Sequence, residues 1–215
     1  MNHMTHGHAA DENAAPHGEH AWDERYRSKP EIWSGKPNAA LVAEVTRLKP
    51  GTALDAGAGE GGDALWLASQ GWTVTAADIS SVALDRAAAS AARLGADITW
   101  LRADLATSPA PGTYDLVTAH FLHVPKAEQE QLFRHLAAAV APGGTLLVVG
   151  HDHSDMERMR PHLAEFGWAP DEVAAAIGDG WTIEAAEARP RQATGPDGDE
   201  ITISDAILRA RRAAA

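Results

Sequence analysis

The 215-residue sequence contains no cysteine, which excludes disulfides, thiolate metal sites and cysteine nucleophiles together. No apolar run approaches the ~20 residues that a membrane-crossing helix needs. The N-terminus has neither the basic nor the apolar stretch of a secretory signal, so the cytoplasm is the expected location and no membrane partner is expected. Positive charge is scarce as well. Eighteen Lys and Arg stand against 30 Asp and Glu, giving a formal net charge of -12. Such a surface repels a phosphate backbone, and the basic residues are scattered apart from Arg209, Arg211 and Arg212, so nucleic acid is not an expected partner. What is present is a 45% hydrophobic content in evenly spread runs, enough for one sheet covered by helices.

Residues 1–20 carry His3, His6, His8, His17 and His20 among small and acidic residues, and nothing there can build a core. They are expected to form a flexible His-rich arm before a single domain at 21–215. From Trp22 the pattern changes. Trp22 to Tyr26 reads as a short helix, Pro30 to Pro37 as a loop, and Pro37-Asn38 as the start of a helix reaching Leu48. Strands are expected at Thr52–Ala56, Trp72–Ala77, Ile98–Arg102, Tyr114–Ala119 and Thr145–Gly150. Helices at Gly61–Ser69, from Ser80 or Ser81 to Arg93, and from Pro125 to about Val140 alternate with them. That alternation predicts an α/β, doubly wound, mostly parallel sheet. Trp181–Arg189 and Glu200–Arg209 flank Gly195-Pro196-Asp197-Gly198, which reads as an antiparallel C-terminal hairpin at the sheet edge.

Between the first strand and the helix after it lies Leu54-Asp55-Ala56-Gly57-Ala58-Gly59-Glu60-Gly61-Gly62. Glycines there let the backbone turn sharply and approach a ligand closely, because no Cβ intervenes. Asp78, about 20 residues on, is placed to accept hydrogen bonds from ribose hydroxyls. Gly57, Gly59 and Gly62 also satisfy a dinucleotide fingerprint, but Asp55 sits where helix amides would face a pyrophosphate, and a carboxylate opposes that ligand. It suits a cationic amino group instead. Asp104, after the third strand, suits an exocyclic adenine amine, and the terminal hairpin stands where a second mononucleotide-binding half would be.

Asp55 to Gly61, Asp78, Ala103-Asp104-Leu105 and Leu136 to Val149 with Ala141-Pro142-Gly143-Gly144 resemble class I S-adenosylmethionine-dependent methyltransferases. The resemblance runs from about Trp22 to the end. It implies a Rossmann-like, seven-stranded sheet with an antiparallel last strand and S-adenosylmethionine as cofactor. It also implies that Gly57 and Gly59 border the methionine part, Asp78 with Ile79 meets the ribose, and Asp104 with Leu105 borders the adenine. Trp22-Asp23-Glu24-Arg25-Tyr26 followed by Trp33 is similar to the tellurite-resistance and thiopurine methyltransferase-like branch, where the N-terminal segment, here 21–48, forms a lid. Tyr26 and Trp33 would then line the cofactor site, or else simply pin the first helix to the domain.

Ligands of open α/β sheets bind beyond the carboxyl ends of the strands. His120 leaves the fourth strand and His151 the fifth, so these two are the candidate catalytic residues, with His120 also able to meet the cofactor tail. Met156 to Gly178 is expected to roof the pocket, with Phe166 and Trp168 either touching the acceptor or covering the sheet. Arg189 and Arg191 either hold a substrate carboxylate or face solvent. A metal at His120, His151, Asp152 and His153 is an alternative that the resemblance does not require. The expected function is methyl transfer to a small-molecule acceptor by a monomer or homodimer. An NAD-dependent oxidoreductase and a non-catalytic nucleoside or metal sensor are the alternatives.

Overall fold

The computed structural model describes residues 17–159, 161–194 and 198–214. His3, His6 and His8 of the expected arm and most of the turn at 195–198 lie outside them. His17 precedes a helix α1 at Gly18–Ser28, so the last residues of that expected arm are helical.

Seven strands form a single sheet in the order β3-β2-β1-β4-β5-β7-β6. They are β1 (Thr52–Ala56), β2 (Thr73–Asp78), β3 (Ile98–Arg102), β4 (Tyr114–His120), β5 (Val140–His151), β6 (Trp181–Thr194) and β7 (Glu200–Arg212). The first five pair in parallel, and β7 runs antiparallel to both β5 and β6. Because the chain winds one way from β1 to β3 and the other from β4 onward, β1 and β4 are neighbours with a crevice beyond their carboxyl ends.

The helices are α2 (Ala39–Val45), α3 (Gly62–Ser69), α4 (Ser81–Leu94), α5 (Lys126–Ala138), α6 (His153–Met159) and α7 (Pro170–Ile177), with a 3₁₀ turn at Pro161–Phe166. Their starts follow the capping chemistry. The Asn38 side chain accepts from Ala40 N at the head of α2, and Ser80 Oγ accepts from Ala83 N at the head of α4. Gly95, in the left-handed region, closes α4. Two apolar layers cover the sheet. One centres on Leu54, Val117, Leu132, Phe133, Leu146 and Leu208, the other on Leu41, Leu67, Val74, Leu116, Leu147 and Ile207.

Several boundaries differ from the sequence reading, among them those of α2, α5 and β5, and β6 runs on to Thr194. Helix α2 stops at Val45 rather than Leu48, and α5 stops at Ala138 because Tyr114 N donates to Ala139 O and Val140 pairs with Tyr114. Strand β5 therefore starts at Val140, and the Pro142-Gly143-Gly144 segment is an irregularity within it. Trp168 belongs to the core: it is 4% exposed and meets Phe133 edge-on at 5.8 Å. A Cβ at Gly150 would overlap the Trp168 indole nitrogen. Gly150→Ala is expected to lower stability by about 1–3 kcal/mol, as overpacked cores do; urea unfolding with an unchanged midpoint would contradict this packing.

Candidate active site

A cavity of about 1490 Å³ opens at the carboxyl ends of β1, β2, β3, β4 and β5. A single small-ligand site commonly measures ~300–1,000 Å³, so there is room here for two molecules side by side. All of the expected site residues line it: Tyr26, Trp33, Asp55, Gly57, Gly59, Asp78, Ile79, Asp104, Leu105, His120 and His151.

The bend after β1 is built without side chains for a reason of space. Gly57 has φ +75°, and a Cβ there would lie 2.8 Å from Leu122 Cδ1; Gly59 has φ +52°, and its Cβ would lie 2.9 Å from the Tyr26 hydroxyl. The bend is fastened to β2 through Asp78. Oδ2 of Asp78 accepts from Gly59 N at 2.8 Å and Oδ1 accepts from Ser80 N at 2.8 Å. Burial raises the Asp78 carboxyl above its ordinary value, more than these backbone donors lower it. On β3's far end, Oδ1 of Asp104 accepts from Ala106 N at 3.0 Å and fixes the loop that carries Leu105.

Asp55, at the end of β1, is 2% exposed, and its Oδ2 has no hydrogen-bond partner among the described residues. Burial, then the charges of Asp63 and Asp78, hold its carboxyl well above the ordinary range. A buried, unpartnered carboxylate oxygen beside two further acids is a receptor for a cation. Asp63, which the sequence reading did not single out, also holds His120: its Oδ2 lies 3.0 Å from His120 Nδ1, and Thr118 Oγ1 lies 3.1 Å from the same nitrogen. An acid in the first turn of a helix reads as a partner for the helix dipole, and nothing in the sequence ties it to a histidine after β4.

The segment before α2 lies across the glycine bend. Oδ1 of Asp23 accepts from Ser80 Oγ at 2.6 Å. Oε2 of Glu60 accepts from Ile32 N and Trp33 N, both at 3.0 Å. Arg86 pairs with Glu60 Oε1 at 2.8 Å and donates to Tyr26 O at 2.6 Å. Trp33 Nε1 donates to the Tyr26 hydroxyl at 3.1 Å, and burial pushes that phenol's pKa up. Tyr26 and Trp33 thus both line the cavity and anchor the segment, so lining and pinning are one arrangement.

On the other side of β1, His151 stands 4.7 Å from the Phe121 ring and 5.4 Å from the His123 ring. Burial, then the charge of Arg25, lowers the His123 pKa to about 4, so the ring is neutral. The alternative metal quartet does not assemble among the described residues. His153 turns away with α6, its Nδ1 3.2 Å from Ala164 O, and Asp152 Oδ1 accepts from Ser154 N at 3.1 Å. Among the described residues the metal-like grouping is instead Asp55, Asp63 and His120, with ligand atoms within 4.8 Å of one another. Of the roof, Asp155, Met156, Met159 and Leu163 face the cavity, whereas Phe166 lies behind His123 at 6.1 Å between ring centroids. Arg191 lines the cavity but is paired with Asp205 at 2.7 Å; Arg189 does not line it and pairs with Glu44 and Glu187.

Residues 53–144 match the family model described as a methyltransferase domain. A trans-aconitate 2-methyltransferase from Rhizobium meliloti is 33% identical over 139 residues, which is 63% of this chain and 52% of that protein. A ribosomal RNA small subunit methyltransferase C from Alcanivorax borkumensis is 33% identical over 108 residues, 48% of this chain and 33% of that protein. The chain thus spans between a third and about half of the length of these curated relatives. Among solved structures, TehB from Haemophilus influenzae superposes with a TM-score of 0.72 at 17% identity, over 89% of this chain and 67% of that one. The magnesium protoporphyrin IX methyltransferase of Synechocystis with bound S-adenosylmethionine gives 0.61 at 24% identity, over 81% and 76%. These likenesses establish the seven-stranded, Rossmann-like sheet as a methyltransferase fold.

Proposed function

We propose that this chain, whose residues 53–144 match a methyltransferase-domain family model, transfers a methyl group from S-adenosylmethionine to a small-molecule acceptor. The observation that carries this reading is the unpartnered Asp55 oxygen at the end of β1. The cofactor's methionyl end is cationic, and Asp55 supplies a buried negative partner that a pyrophosphate would not tolerate. The chain along Gly57 and Gly59 gives close backbone approach, Asp78 with Ile79 takes the ribose, and Asp104 with Leu105 borders the adenine. Tyr26 and Trp33 close the site from the segment before α2, which excludes water. The tellurite-resistance and thiopurine-like branch is the one this overlying segment supports.

A bound cofactor would supply an activated methyl group on a sulfonium, with the thioether as leaving group and the acceptor's proton, if it has one, left for a base. The protein's task is alignment and dryness, and alignment alone is worth on the order of 7–11 kcal/mol. His120 is the group able to hold a proton at this point. With Asp63 accepting from Nδ1–H, the Nε2 lone pair is left to take a proton, with the Thr118 hydroxyl 3.3 Å from it. His151, on the β5 side, is the second such group. The net charge of -12 disfavours an RNA acceptor. No helix among the described residues is long and apolar enough to cross a membrane, and a cytoplasmic monomer or homodimer fits this reading.

Incubating the protein with a metabolite extract and deuteriomethyl-labelled cofactor, then searching for labelled products by mass spectrometry, tests the activity directly. No labelled product, together with thermal protection by NADH and none by S-adenosylhomocysteine, would replace this reading by an oxidoreductase. His120→Ala is expected to lower turnover at least tenfold while S-adenosylhomocysteine affinity changes less, since base catalysis commonly contributes ~10²–10⁴-fold. Turnover equal to wild type would remove His120 from the chemistry.

A further inference from the structure

The half of the cavity beyond the cofactor carboxylates has a composition of its own. Five rings follow one another along it without a gap: Phe121, His151, His123, Trp22 and Tyr26, with successive centroid separations of 4.7, 5.4, 6.1 and 6.0 Å. All five line the cavity. The run starts beyond β4 and β5 and ends at Tyr26, whose hydroxyl lies over Gly59. Phe121, His151 and His123 thus stand on the opposite side of β1 from Asp104 and Leu105, which the adenine would border, while Trp22 and Tyr26 reach in from α1, held over β2 and β3 by Asp23 with Ser80 and Glu19 with Arg102.

The wall is also stiff. The Arg25 guanidinium lies 5.9 Å from the Trp22 ring centre, and that of Arg191 lies 5.9 Å from Phe121. Phe121 sits at φ +51°, a region that bulky residues seldom occupy, and its N–H donates to Val149 O at 2.8 Å. The thioethers of Met156 and Met159, adaptable and polarizable, line the same cavity.

Resting on the methyltransferase reading, we infer that the acceptor is a flat aromatic or heteroaromatic molecule seated against the wall of Phe121, His151, His123 and Trp22. Offset and edge-on contacts with π faces reward planarity in a way that apolar area alone does not. A neutral His123 presents such a face without the cost of a desolvated cation. A puckered aliphatic molecule of the same size would bury similar area but gain none of the ring contacts.

Two probes of matched size and hydroxyl, 2-naphthol and 2-decalol, separate these cases by calorimetry on the full chain saturated with S-adenosylhomocysteine. The expected result is that 2-naphthol binds at least tenfold more tightly. His123→Leu and His151→Leu keep apolar bulk but remove a π face, and each should weaken 2-naphthol severalfold while leaving 2-decalol unchanged. Equal binding of the two probes, or full 2-naphthol affinity in both variants, would overturn the inference. The S-adenosylhomocysteine titration on the same samples keeps the premise separate. If that titration is silent the cofactor reading fails, while the two-probe comparison without it still decides whether the wall selects flat molecules. A loss of S-adenosylhomocysteine affinity in both Leu variants would mean that the rings hold the cofactor's own adenine, and would equally sink the inference.

Discussion

Asp55→Asn is expected to stabilise the cofactor-free protein and at the same time to cripple its hold on the cofactor. Burial and the charges of Asp63 and Asp78 hold the Asp55 carboxyl well above 3.8 in the folded protein. The folded state therefore binds this proton more tightly than the unfolded chain does. The sign follows: the group's stabilising contribution is complete below the unfolded value, and it is lost as pH rises through the raised, folded value. Above the unfolded value the carboxyl works against folding, whether it ionises in the buried site or keeps its proton there, and asparagine, which keeps the shape, removes that cost. A gain of about 1–2 kcal/mol is the usual scale for relief of this kind. The difference between variant and wild type should shrink toward acid pH, where Asp55 is itself neutral.

The cofactor's effect has the opposite sign. Removing one member of a buried, hydrogen-bonded charge pair costs about 2–5 kcal/mol, or some thirtyfold and more in affinity. Melting curves with and without S-adenosylhomocysteine should therefore cross: the variant melts higher without it, and the wild type melts higher when saturated. Parallel shifts under both conditions would mean that Asp55 does not receive the cationic end.

Asp78→Ala is the second large effect, and it strikes the fold and the ligand together. The amides of Gly59 and Ser80 both lose their acceptor, and stranding a buried N–H costs about 1–3 kcal/mol each. The ribose hydroxyls lose theirs as well, which should weaken cofactor binding by a further ~1–3 kcal/mol. Asp78→Asn separates the two losses, since its amide oxygen can still accept from one backbone N–H. Calorimetry giving wild-type affinity in the Asn variant, with a lowered melting temperature, would leave Asp78 a structural role alone.

Much of this architecture could be read in the sequence because its signals are local. The glycine bend, the acid ending β2, the Asn38 and Ser80 caps and the alternating apolar runs each declare themselves within a few residues. The pairing of Asp63 with His120 could not be read, because only folding brings α3 against the end of β4. Glu60 looked like one more residue of the bend, yet its carboxylate receives Ile32 N, Trp33 N and Arg86. The metal alternative at His151 and His153 does not assemble, for a complementary reason. Proximity in sequence suggested that His151 and His153 act together, but the start of α6 turns the second toward Ala164 O. The α5–β5 boundary was misplaced because Ala139-Val140-Ala141 is apolar enough for either element, and pairing with Tyr114 decides it.

The reversal of winding between β1 and β4 divides the labour of the protein. The ends of the first three strands present the carboxylates, and the ends of the next two present Phe121, His123 and His151, to which α1 adds Trp22 and Tyr26. Each group hangs from its own turns, so a residue exchanged at Phe121 or His151 leaves the backbone that carries Asp55, Asp78 and Asp104 where it was. Redesign of this cavity for a new molecule therefore begins at the ends of β4 and β5.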